Sequence, residues 1–163
     1  MNHVESTSRI LAFKTLNRNI DSSFVDWAVE MLEAGYETEH LVILAGESKP
    51  FNQFHMHDLV DKVLSELEIS YSDREKIIKQ YACYLIGCYR NGEVKISDVL
   101  KELKEIYIEL NFAPYLKEFY LLHFATEDLK AGEEQLYWEG ATRENLKSII
   151  DNYFSHFIKL TKE

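Results

Sequence analysis

Ligand-bearing and proton-carrying side chains gather most densely in His55-Met56-His57-Asp58, with Asp61 following one turn later. Imidazole and carboxylate are the groups that hold transition metals and move protons near neutral pH. Spacing limits what these residues can do. On a helix, residues two apart point roughly 200° apart, so His55 and His57 cannot grip one ion. The feasible pairs are His57 with Asp61, at i and i+4, and His55 with Asp58, at i and i+3. Each pair offers two ligands, whereas a zinc site in a protein takes three or four. The sequence therefore predicts no metal and no cofactor. An enzyme or metal-binding protein built on His55, His57, Asp58 and Asp61 is kept as an alternative.

Other chemistry is sparse. His123 and His156 stand among aromatics, where they are read as packed rings rather than catalytic bases. No serine or cysteine is spaced to act as their nucleophile. Cys83 and Cys88 lie five apart in an uncharged helical stretch and read as inert core thiols. No glycine-rich phosphate loop, Gly-x-Ser-x-Gly elbow, His-Glu-x-x-His or calcium loop occurs. The chain is expected to have no catalytic residues.

Charge is more informative. The 163 residues carry 18 Lys and Arg against 28 Asp and Glu, a net charge of −10. Residues 21–70 hold eleven acids against Lys49 and Lys62, so most of the excess falls in one third of the chain. Within it Asp26, Glu30 and Glu33 recur at i, i+4 and i+7, and Glu37 and Glu39 follow. Like charges at that spacing repel by a few tenths of a kcal/mol per pair, so helix stability alone does not favour them. An acidic face of this kind steers a basic protein partner. The same balance opposes nucleic acid, which wants a basic stripe.

Elements must position these groups, and composition limits which ones. Gly and Pro total 8 residues, which disfavours a turn-rich β design, and 46% of residues are hydrophobic. Helical periodicity runs from Ser22 onward. It predicts helices near 22–34, 38–46, 53–68, 73–90, 97–110, 114–130 and 143–160. Val25, Ala28, Val29 and Leu32 are expected to face the core from the first of these, and Gly35 to stop it. Tyr81, Leu85 and Cys88 are expected among the most buried residues. The last helix should turn Leu146, Ile149, Ile150, Tyr153, Phe157 and Leu160 inward. Residues 5–17 would add a weaker helix, within a loosely ordered segment 1–20. The expected fold is all-α, one domain over 1–163 of about seven helices, as an antiparallel bundle or a short stack of helical hairpins.

The stretch Tyr81 to Tyr89 carries no charge over nine residues, against roughly 20 needed to cross a bilayer. With no signal-peptide run either, the chain is expected to be cytoplasmic, with no membrane partner. Tyr36, Phe51, Phe54, Tyr137 and Trp138 fall at helix ends or loops, where interface anchors occur. Tyr137-Trp138 is framed by Glu133, Glu134 and Glu139. Loop aromatics more often fold back over the core.

Asp26-Trp27-Ala28, Met31-Leu32-Glu33-x-Gly35-Tyr36 and Leu41-x-x-Leu44-Ala45-Gly46, continued by Phe51-Asn52-x-Phe54 and Leu64-x-Glu66-Leu67, resemble a recurrent pattern of small all-helical bacterial proteins of uncharacterised function. The resemblance covers residues 21–70 and departs at His55, where the pattern has an acid. It implies a bacterial helical fold and carries no catalytic residue. The expected function is thus a non-enzymatic protein-binding module. Its partner-binding residues are Asp26, Glu30, Glu33, Glu37 and Glu39, as in a bacterial immunity or antitoxin-like inhibitor of a basic protein. A helical scaffold or homo-oligomeric assembly subunit is the other alternative.

Overall fold

The structure is a computed structural model that describes residues 3–163. Among the described residues it is all-helical, 67% helix and without a strand. The helices are α1 (Thr7–Thr15), α2 (Ser22–Glu33), α3 (Glu39–Ala45), α4 (Gln53–Glu66), α5 (Arg74–Arg90), α6 (Ile96–Glu109), α7 (Lys117–Ala131) and α8 (Leu146–Lys162). Pro114, expected in the first turn of an α-helix, instead opens a 3-10 turn over Pro114–Leu116 that leads into α7. Among the described residues no helix is long and apolar enough to cross a membrane.

Local chemistry explains the boundaries. Asp21 caps α2 by accepting from the Ser23 amide at 2.9 Å. A carboxylate is a strong acceptor at a helix N-terminus. Thr38 and Asn52 cap α3 and α4 through the amides of Leu41 and His55. At the end of α2, Gly35 adopts φ +96° while the Tyr36 amide reaches back to the Met31 carbonyl and the Gly35 amide to that of Leu32. That paired closure needs a left-handed residue, which glycine adopts without a Cβ clash. Asn17, Glu68 and Asn111 play the same part after α1, α4 and α6.

The chain divides into two compact units, Met1–Tyr84 and Leu85–Glu163, with the division inside α5. In the first unit α1 packs on α2, α2 on α3 and α3 on α4. Near the N-terminus, α1 buries Ile10, Leu11 and Ala12. On α2 the inward stripe is Phe24, Trp27, Ala28 and Met31, one position round from the expected Val25, Ala28, Val29 and Leu32. Val29 is 41% exposed. Both sets fit helical spacing, but rotation toward Trp27 and Phe24 buries far more apolar area. On α4 the inward stripe is Met56, Leu59, Val60, Val63 and Leu64, all buried.

The second unit holds α6, α7 and α8, with α6 packed on α7. Its centre is Phe119, fully buried, with its ring centroid 5.1 Å from Tyr153, 6.0 Å from Phe154 and 4.9 Å from Phe157. Phe154 was not anticipated on the α8 stripe, while Leu160, expected inward, is exposed. Burial pushes the Tyr153 phenol well above its ordinary range, and the nearby Glu118 carboxylate adds to it. Along α5, Tyr81 and Cys88 are buried as expected, but Ile86 takes the place assigned to Leu85, which is half-buried.

Candidate functional site

Asp26, Glu30, Glu33, Glu37 and Glu39 are all solvent-exposed, on α2, its exit and the first residue of α3. The rotation of α2 that buries Trp27 leaves its acidic edge outward. Glu30 accepts a hydrogen bond from the Ser6 hydroxyl at 2.6 Å. Asp26, Glu33 and Glu37 make no hydrogen bond or ion pair among the described residues. Some acids elsewhere are paired with a lysine on their own helix. Asp58 pairs with Lys62, Glu75 with Lys79, Glu127 with Lys130 and Asp151 with Lys147, at 2.6–3.0 Å. Val29 on α2 and Val42 and Ile43 on α3 are exposed apolar residues of the same two helices.

The histidine-rich start of α4 does not converge into one site. His55 turns to Glu47, with Nε2 and Oε1 2.9 Å apart, and Asp58 binds Lys62, so the expected His55–Asp58 pair does not form. His57 and Asp61 do come together, as i and i+4 on one helix face. Between them sits a residue that sequence spacing did not suggest: Lys14 of α1, whose side chain is 5% exposed. Its ammonium lies 2.9 Å from Asp61 Oδ1 and 3.0 Å from His57 Nδ1, and donates to the His57 carbonyl at 3.4 Å. Tyr71, also unforeseen, donates its hydroxyl to Asp61 at 2.8 Å, with Lys14 5.9 Å from its ring centroid. Asp61 and Tyr71 edge a shallow groove of about 320 Å³ walled by Leu64 and Ile69.

This arrangement has definite chemical consequences. An ammonium has three N–H donors and no acceptor, and all three are engaged here. Lys14 therefore has no lone pair to offer as a nucleophile while so bound. A positive charge already stands where a metal shared by His57 and Asp61 would sit. To accept from Lys14, His57 Nδ1 must be unprotonated. Burial pushes the His57 pKa below its ordinary value, and the Lys14 charge pushes the same way. Burial also raises the Tyr71 phenol, whose proton is further held by its bond to Asp61.

A pH effect follows. Below about pH 6.5 the unfolded chain protonates His57 before the folded chain does, so stability falls as pH drops through that window. The loss levels off once the folded imidazole also titrates. Urea midpoints between pH 7.5 and 5 should decline less for His57→Gln than for the natural chain. Parallel declines would show that burial and the Lys14 charge do not hold the imidazole neutral.

One group of three metal-capable side chains comes together among the described residues: Glu39, His40 and Glu66, with donor atoms within 4.8 Å. Sequence spacing missed it because Glu66 lies a helix away. The Glu66 carboxylate accepts from the His40 amide at 3.1 Å and pairs with His40 Nδ1 at 2.5 Å. Two ligands of one zinc ion with bonds near 2.0–2.1 Å stand about 3.3 Å apart. The pair is thus a hydrogen-bonded one, in which Glu66 satisfies a first-turn amide of α3. Hydrogen bonds from His40 and Thr38 hold the Glu66 carboxyl below its usual range. His123 is half-buried, edge-on to Phe124 at 5.0 Å, and His156 is exposed.

No protein-family model, no curated protein and no solved structure matches the chain.

Proposed function

We propose that this chain is a non-enzymatic protein-binding module whose acidic α2–α3 face docks a basic protein, as a bacterial immunity or antitoxin-like inhibitor working in the cytoplasm. The observation that carries this reading is the run of exposed carboxylates along one helix edge and its exit, of which Asp26, Glu33 and Glu37 have no partner among the described residues. Unpaired like charges along one helix edge weaken the helix slightly, so they answer to something other than folding. Their summed field attracts cations and speeds encounter with a basic surface. Exposed Val29, Val42 and Ile43 supply apolar contact that a purely solvating face lacks. The same charge repels nucleic acid and a second copy of the chain. The saturated Lys14 between His57 and Asp61 weighs against an enzyme built on those residues.

The test replaces Asp26→Asn, Glu30→Gln and Glu33→Gln together. Gln at position 30 still accepts from Ser6, and the three sites are exposed, so helix content should stay unchanged. With the partner isolated by low-salt pull-down, the association rate should fall roughly tenfold and its salt dependence should flatten. Unchanged association kinetics would overturn the proposed face.

A further inference from the structure

A different surface, in the second unit, carries a separate inference. Between α7 and α8, the loop 132–141 is tied together by one side chain. Gln135 donates through Nε2 to the carbonyls of Trp138 and Ala141, and accepts through Oε1 from the amides of Tyr137 and Trp138. Its two aromatics rest against the flanking helices, Tyr137 while still 39% exposed. Tyr137 lies 5.4 Å from Phe124 of α7, and Trp138 lies 6.0 Å from Tyr153 of α8. Ala141 is buried, and Arg143 Nε donates to the Leu129 carbonyl just beyond the loop.

Leu136 is the exception. It is 98% exposed, although its neighbours on both sides are anchored. A mobile loop can expose a leucine in passing, but here four hydrogen bonds to Gln135 hold the backbone around it. The exposure is built in, at a cost in apolar hydration that the fold does not recover. Glu133, Glu134 and Glu139 are exposed around it. An apolar tip on an ordered loop, rimmed by charge of one sign, is the form of an interface anchor, because little conformational entropy remains to be lost on docking.

We infer that loop 132–141 is a pre-organised docking loop that inserts Leu136 into an apolar pocket rimmed by Lys or Arg on a protein partner. Three carboxylates around the tip select a basic rim and disfavour a second copy of this acidic chain.

The experiment places a photoreactive benzophenone amino acid at position 136, and at exposed Leu160 of α8 as control, in cells making the full chain. A crosslinked protein specific to position 136 is identified and purified, and its affinity is measured for the natural chain and for variants. Leu136→Ala should weaken binding tenfold or more, the range of a buried anchor. Glu133→Gln, Glu134→Gln and Glu139→Gln together should flatten the salt dependence. Gln135→Ala, which loosens the loop but keeps Leu136, should also weaken binding. Three results would overturn the inference. The first is crosslinking no different from Leu160, the second a crosslink only to another copy of the chain, and the third a partner indifferent to Leu136→Ala.

Discussion

Phe119→Ala should destabilise the chain by roughly 3–5 kcal/mol, the range for deleting a buried phenylalanine. The ring is fully buried and meets Tyr153, Phe154 and Phe157 with centroids 4.9–6.0 Å apart. Truncation removes transfer energy, leaves a cavity and dissolves aromatic pairs each worth about 0.5–1.5 kcal/mol beyond area. Phe119→Leu should lose less, roughly 1–2 kcal/mol, because most of the volume stays filled. Trp138 is a suitable reporter, since its ring stands 6.0 Å from Tyr153, which itself packs on Phe119. The chain has two tryptophans, so a Trp27→Phe background leaves Trp138 as the sole emitter. Urea midpoints on that background should drop steeply for Ala and modestly for Leu. A loss under about 1 kcal/mol for Ala would mean that the second unit is organised around another centre.

In the first unit the corresponding residue is Trp27. It is 1% exposed, and its indole N–H donates to the Thr7 hydroxyl at 2.9 Å, which ties α2 to α1. Trp27→Ala combines a large cavity with a lost hydrogen bond, and should cost roughly 3–5 kcal/mol. Trp27→Phe keeps most of the apolar ring area but not the donor, so it should cost about 1–2 kcal/mol. The gap between the two separates packing from hydrogen bonding. Hydrogen exchange adds a local check. Amides of α1 should lose protection in both variants, because Thr7 sits in its first turn. Equal losses for Ala and Phe would show that the hydrogen bond, not the buried ring, carries the contribution.

The site repeats this division between local and distant causes. His57 with Asp61 was legible, because an i, i+4 pair is a property of one helix. Lys14, 43 residues away in sequence from His57, was not. A lysine in a short amphipathic segment looks like a surface charge, and nothing local says that its stem will be buried and its ammonium enclosed by another helix. The contacts of Tyr71 with Asp61 and of Glu66 with His40 are illegible in the sequence for the same reason. The five acids of α2 and α3 were legible because exposure of a charged side chain is the default when no partner is near.

Sequence alone determined the class of fold, the helices from α2 onward and most of their ends. Those follow from short-range physics: hydrophobic period, caps such as Thr38 and Asn52, and the left-handed closure at Gly35. The tertiary structure decided which of two equally spaced stripes on α2 faces inward, that α1 is a packed element, and that Phe154 rather than Leu160 joins the core. It also decided that Leu136 points outward while Tyr137 and Trp138 turn back. Each of these depends on the total area and volume filled against other helices. That quantity has no counterpart in the spacing of residues along one helix, because two stripes about 100° apart satisfy the same period.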